Sequence, residues 1–87
     1  MKNFIELEVD KQYFAYYNST IVIFKIIKIG NYKNTIEYNR EIIAFNNDYF
    51  PALSYFIYGS AFHSYIIGET TVNTIDELKE LNPEYFI

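Results

Sequence analysis

The strongest strand pattern in this chain is Thr20-Ile21-Val22-Ile23-Phe24-Lys25-Ile26-Ile27-Lys28-Ile29. Its β-branched and aromatic residues stand at both odd and even positions, so each side of the strand is apolar. A strand that is apolar on both sides has to be covered on both sides, which is typical of the middle of a sheet. We therefore predict that residues 20–29 form a central strand.

The residues before this strand predict two further strands. From Phe4 to Asp10 apolar and acidic residues alternate, as in a strand with one buried face. Tyr13–Tyr17 is aromatic and β-prone, and Asn18-Ser19 favours a turn between it and the central strand. The sequence thus predicts an antiparallel meander on this side.

The residues after the central strand continue the β pattern. Gly30-Asn31 tolerates positive φ and predicts a chain reversal. The pattern resumes in Thr35–Tyr38 and Glu41–Phe45, with Asn39-Arg40 between them. We expect a meander of four or five strands in total.

The remainder of the chain predicts one clear helix. Residues 49–67 fit either a helix or a hairpin that turns at Gly59-Ser60, with Tyr55–Tyr58 and Ala61–Ile67 as its arms. We favour a helical turn near 49–54, followed by strands. Thr74 and Glu77 have the spacing of a capping box, and Asn82-Pro83 ends the pattern. The apolar stripe of the predicted helix, about 75–81, is Ile75, Leu78 and Leu81.

These elements predict an α+β, mostly β domain. A small, strongly bent antiparallel sheet, SH3-like or another small barrel, would be covered by the short C-terminal helix. The 87 residues, 51% of them hydrophobic and 21% aromatic, suffice for one core, and no linker or repeat divides them. We expect a single domain over residues 1–87.

Composition narrows the possible chemistry. The chain has no Cys and one His, which excludes thiolate metal sites and sites that need two imidazoles. His63, with Ser60 and Ser64 nearby in sequence, lacks the geometry of a catalytic pair when the segment is extended. We therefore expect no enzyme activity, no cofactor and no metal.

The sequence favours a cytoplasmic protein. Tyr49–Gly68 carries no formal charge over 20 residues, but it contains four Tyr and three Ser and lacks closely flanking Lys or Arg. The first ten residues include acids that interrupt any secretory core. We expect no membrane association, and the many residues with A/T-rich codons indicate a low-GC genome.

One candidate function is nucleic-acid binding. Residues 11–40 hold five cationic residues against Glu37, interleaved with tyrosines, so a small barrel could present a Tyr/Lys surface to a nucleic acid. The whole chain, however, has a net charge of −4 and a pI near 4.8, which opposes the approach of a polyanion. We keep this function as an alternative.

Protein binding is the function that we favour. So many aromatic residues exceed what one small core encloses, and surface tyrosines are good interface anchors. Glu6, Glu8 and Asp10, on one strand face about 6.5–7 Å apart, would resemble successive phosphates. The candidate partner-binding residues are Glu6, Glu8 and Asp10, the helical acids Asp76, Glu77 and Glu80, and the anchors Tyr16, Tyr17 and Tyr32.

These residues suggest a small acidic, non-catalytic inhibitor. Our hypothesis is a protein of a phage or mobile element, of anti-CRISPR or anti-restriction type, that occludes a host nucleic-acid-handling enzyme. The partner would then be a protein, and a homodimer is compatible with the same surface. A structural oligomer subunit is the second alternative.

Overall fold

The computed structural model describes residues 6–17, 19–46 and 62–85. It is mostly β with one short helix, as predicted. The strands are β1 (Gln12–Tyr17), β2 (Thr20–Tyr32), β3 (Thr35–Phe45) and β4 (Ile66–Glu69), and the helix is α1 (Ile75–Leu81). Two 3₁₀ turns, Phe62–Tyr65 and Pro83–Tyr85, precede β4 and follow α1.

The four strands form an antiparallel sheet in the order β3-β2-β1-β4. The prediction that residues 20–29 lie in a central strand is therefore confirmed. The described sheet is open, with β3 and β4 at its edges, so neither a closed SH3-like barrel nor strong bending is confirmed.

The sheet has an apolar core on each face, because β2 is apolar at both odd and even positions. We name the faces after one buried residue each. The Phe24 face consists of Leu7, Tyr13, Ala15, Val22, Phe24, Ile26, Phe62 and Ile66. The Leu78 face consists of Phe14, Ile21, Ile23 and Leu78, so α1 covers this face.

The reversal between β2 and β3 lies three residues later than predicted. Lys33 and Asn34 have positive φ angles of 49° and 66°. They form a two-residue hairpin loop, in which two positive φ angles give a twist that matches that of the flanking strands. Gly30 lies inside β2 opposite Glu37, so the predicted turn at Gly30-Asn31 is wrong. The predicted turn after β1 is confirmed, since Tyr17 pairs directly with Thr20.

Two β-bulges lie in the β2–β3 hairpin. The register shifts between Ile23 and Phe24 and again between Ile26 and Lys28, which leaves Ile43 on β3 and Ile27 on β2 as the extra residues. The shifts cancel, so the hairpin ends in the register in which it begins. β3 is continuous, so the stretches Thr35–Tyr38 and Glu41–Phe45 belong to one strand that runs through Asn39-Arg40.

The strand predicted for Phe4–Asp10 is not found in its described part. Residues 6–8 have no regular structure, and Asp10 has a φ of 70° within a turn. One long-range and one local hydrogen bond fix the turn. The Asp10 N–H donates to the Ile26 carbonyl at 2.8 Å, and the Glu8 N–H donates to the Tyr13 hydroxyl, five residues away, at 2.8 Å. In residues 6–10, tertiary contacts therefore override the alternating sequence pattern.

The segment between β3 and β4 is only partly described. The helical turn predicted near 49–54 and the alternative turn at Gly59-Ser60 lie outside the described residues. Phe62–Tyr65 is a 3₁₀ turn, and the strand begins at Ile66. The strand proposed for Ala61–Ile67 is therefore correct at its end and wrong over residues 62–65.

Helix α1 has the predicted bounds and the predicted cap. The Glu77 N–H donates to the Thr74 hydroxyl oxygen at 3.2 Å, and that hydroxyl donates to the Glu77 carboxylate at 3.0 Å. Leu78 is fully buried and Ile75 is half-buried, but Leu81 is 65% exposed. The predicted apolar stripe is thus wrong at its last member.

Replacing Thr74 with alanine should lower the free energy of unfolding by about 1 kcal/mol, since the change removes a helix-capping oxygen. Thr74→Ser keeps the oxygen and should stay close to the parent protein. Urea unfolding followed by circular dichroism measures both variants. Equal losses for the two variants would show that the cap does not stabilise α1.

Candidate protein-binding surface

Helix α1 and the 3₁₀ turn after it present acidic and apolar side chains to solvent. Asp76, Glu77 and Glu80 are exposed on the helix, and Glu84 is exposed in the turn. Leu81 and Tyr85 are large apolar residues with 65% and 48% exposure. The acidic helix surface, as we call it, consists of Asp76, Glu77, Glu80, Leu81, Glu84 and Tyr85.

Packing contacts hold helix α1 and the 3₁₀ turn after it against the sheet. Leu78 is buried in the core of the Leu78 face together with Phe14 and Ile21. The ring of Tyr85 meets the ring of Phe14 edge-on, with 6.3 Å between centroids. The Asn82 N–H and side-chain amide both donate to the Leu78 carbonyl at 3.0 Å, which ends the helix. The exposed residues therefore project from a packed support.

The charge of this surface is largely uncompensated. Within the described part of the chain, both ion pairs involve Lys11, so Asp76 and Glu80 take part in neither. Glu77 is engaged by the Thr74 hydroxyl, and Lys79 is the one cation of α1. Among the described residues, the carboxylates of Asp76 and Glu80 are therefore left to a cationic partner.

An open groove borders the acidic helix surface. It has a volume of about 370 Å³ and is lined by Glu69, Thr70, Thr71, Leu81 and Asn82. Leu81 is thus shared between the groove and the helix surface. A side chain of a bound partner could contact Leu81 and enter the groove from the same side.

The acidic row predicted near the N-terminus has a different geometry. Glu6, Glu8 and Asp10 are all exposed, but they do not lie on a strand, so the regular phosphate-like spacing is absent. The Glu8 carboxylate lies 2.6 Å from the Lys11 ammonium, which also lies 3.5 Å from Glu69. The hydrogen bond that the Lys11 ammonium donates to the Glu8 carboxylate, and then the charge of Glu69, raise the pKa of Lys11. Part of this row is therefore neutralised within the protein.

The three predicted tyrosine anchors are not shown to form one surface. Tyr16 is half-buried and packs against the core of the Leu78 face. Tyr17 and Tyr32 are the last residues of β1 and β2, and their side chains lie outside the described part. Their role in binding remains a prediction.

The tyrosines and cations of residues 11–40 are not gathered on one face. Tyr13 is buried against Phe24. Arg40 lies on the Phe24 face, with its guanidinium carbon 4.7 Å from the centroid of the Phe62 ring. Lys28 pairs with Asn39, the neighbour of Arg40, and therefore lies on the Leu78 face. Arg40 and Lys28 therefore lie on opposite faces of the sheet.

The single histidine lies in an aromatic contact. His63 is half-buried in the 3₁₀ turn Phe62–Tyr65, and its ring lies 5.8 Å from that of Tyr38. No group of three or more His, Asp or Glu residues in the described ranges could hold a metal ion.

No family model, curated protein or solved structure matches this chain. Among the helices in the described ranges, none is long and apolar enough to cross a membrane. Functional inference therefore rests on the surface geometry. Sequence reasoning identified Asp76, Glu77 and Glu80. It missed Leu81, because a leucine at helical spacing predicts burial, and it did not single out Tyr85 among the ten tyrosines.

Proposed function

We propose that this protein is a small acidic, non-catalytic protein-binding module that docks through the acidic helix surface. The observation that carries the proposal is Leu81, which is 65% exposed beside the carboxylates of α1 while Leu78 holds the helix on the sheet. An apolar anchor within a charged rim is the usual arrangement of an interface centre. The anchor supplies affinity, and the rim selects the partner.

The partner that best fits this surface is a basic protein. A net charge of −4 attracts cationic grooves over a distance and repels other acidic proteins. Basic grooves are typical of enzymes that handle nucleic acids. We propose that the module is an inhibitor from a phage or mobile element, of anti-CRISPR or anti-restriction type, and that it occludes such a groove.

The test is capture of the tagged protein's partner from lysate of a low-GC bacterium, with and without nuclease treatment, followed by binding measurements with the purified partner. Leu81→Ser should weaken binding at least about tenfold, the effect of losing an interface anchor. Asp76→Asn combined with Glu80→Gln should slow association most strongly at low salt. Ile27→Ser, which changes a similarly exposed residue on β2, should bind like the parent.

Adding the module should also reduce nucleic-acid binding by the partner, in proportion to the fraction of partner molecules that have the module bound. Equal weakening by Leu81→Ser and Ile27→Ser would refute the acidic helix surface as the docking site. Retained material that disappears after nuclease treatment would instead indicate direct nucleic-acid binding, against the proposal.

A further inference from the structure

Within the described ranges, the outer edge of β3 has no neighbouring strand. β3 runs over Thr35–Phe45 and pairs with β2 on one side, and no described strand pairs with it on the other. Its free backbone groups can bind another strand. The bulge at Ile43 disturbs the far end of this edge, whereas residues 35–41 contain no extra residue, because the second bulge is carried by Ile27 on β2.

We propose that a second copy of this chain binds this edge. The two β3 strands pair antiparallel across a two-fold axis through Tyr38, which joins two four-stranded sheets into one of eight strands. The proposal does not use the acidic helix surface and does not depend on the function proposed above.

The charges on β3 select this register. Directly opposed residues share a face of the sheet, so a two-fold axis perpendicular to the sheet has to lie midway between the two copies of one residue, and we name each axis by that residue. An axis at Glu37, Asn39, Arg40 or Glu41 places like charges directly opposite each other, which is destabilising. Axes at Thr35 and Ile36 also avoid this but pair fewer residues of β3, and an axis at Ile42 spans the bulge at Ile43. The axis through Tyr38 pairs the seven residues 35–41 and is the one we retain.

The exposed apolar residues of the hairpin favour the same arrangement. Ile36 is 55% exposed, and it shares the Phe24 face with Tyr38, two residues away, and with Ile29, which pairs with Tyr38. In the proposed dimer the Tyr38 side chains of both copies are adjacent, and Ile36 lies opposite Arg40 of the second copy. The aliphatic part of the arginine can cover Ile36.

Because Ile36 lies opposite Arg40 of the second copy, substitutions of opposite charge at Ile36 should change the dimer dissociation constant in opposite directions. Ile36→Lys places a cation opposite Arg40 of the second copy and should raise the dimer dissociation constant at least about tenfold. Ile36→Glu places an anion there and should lower it. Both changes insert a charged chain at the same exposed position, so their effects on folding of the monomer are matched.

Sedimentation equilibrium of the full chain over a range of concentrations measures the dissociation constant. Ile27→Lys, a matched charge change on the exposed part of β2, should leave it unchanged. A parent protein that stays monomeric throughout, or Ile36→Lys and Ile36→Glu shifts in the same direction, would overturn the proposal. Leu81→Ser should leave the dimer intact, so failure of either proposal can be recognised separately.

The register itself can be tested by cross-linking, because the chain has no cysteine of its own. In the proposed dimer residue 37 lies opposite residue 39 of the second copy. A mixture of Glu37→Cys and Asn39→Cys chains should form disulfide-linked dimers faster than either variant alone. Equal or faster cross-linking of a single variant would contradict the axis through Tyr38.

Discussion

Replacing Phe24 with alanine should lower the free energy of unfolding by about 3–5 kcal/mol, the usual cost of truncating a buried phenylalanine. Phe24 is fully buried in β2, and its ring lies 6.0 Å from that of Tyr13 and 5.2 Å from that of Phe62. Truncation removes both contacts and leaves a cavity between the sheet and the 3₁₀ turn. Urea unfolding followed by circular dichroism measures the loss.

Phe45→Ala is the matched control, since Phe45 lies on the neighbouring strand but is 40% exposed. Its cost should stay below about 1 kcal/mol, as for most changes outside the core. Because a domain of this size has only about 5–10 kcal/mol of stability, Phe24→Leu provides a milder variant with a measurable transition. Equal costs for Phe24→Ala and Phe45→Ala would contradict the described core.

Replacing Leu78 with alanine should cost about 2–5 kcal/mol and should release α1 from the sheet. Leu78 is the one fully buried residue of the helix, and it packs against Phe14, Ile21 and Ile23. A helix of seven residues is too short to persist in water without this packing. The variant should therefore have a lower free energy of unfolding, and its acidic helix surface should no longer be ordered.

Leu81→Ala makes the same chemical change on the same helix at an exposed position and should alter stability by less than about 0.5 kcal/mol. Hydrogen exchange distinguishes the two effects of Leu78→Ala. The amides of residues 75–81 should exchange much faster than those of β2 in the variant. Unchanged protection of these amides would show that other contacts hold α1.

The elements that sequence predicted well are those in which one local pattern determines the outcome. Residues 20–29 are apolar on both sides and form part of the central strand β2. The Thr74 and Glu77 spacing places the start of α1 correctly, because a hydroxyl and a carboxylate three residues apart cap a helix by local hydrogen bonds.

The elements that sequence predicted poorly depend on contacts from distant residues. Residues 6–10 alternate like a strand, yet the Ile26 carbonyl binds the Asp10 N–H and a turn forms instead. The bulge at Ile27 is also invisible to periodicity. It moves Lys28 to the Leu78 face, whereas unbroken alternation would place it beside Phe24 and Ile26.

The candidate site was predictable in its charges but not in its anchors. Acidic residues remain exposed almost wherever they occur, so Asp76 and Glu80 were identified without knowledge of the fold. Leu81 has helical spacing from Leu78, which predicts burial, but α1 ends there and the side chain borders the groove instead. Only the position of the helix end relative to the sheet distinguishes these outcomes.

Because both faces of β2 are apolar, this strand is prone to aggregation before the sheet has formed. A newly made or unfolded chain exposes a β-prone run that could stack with identical runs into fibrils, in which equivalent residues repeat every 4.7–4.8 Å. Lys25 and Lys28 interrupt the run and would place like charges at that spacing, so they act as gatekeepers against aggregation. In the folded sheet Lys25 lies opposite Glu41. The positive charge that would hinder fibril growth therefore faces a negative charge in the native hairpin.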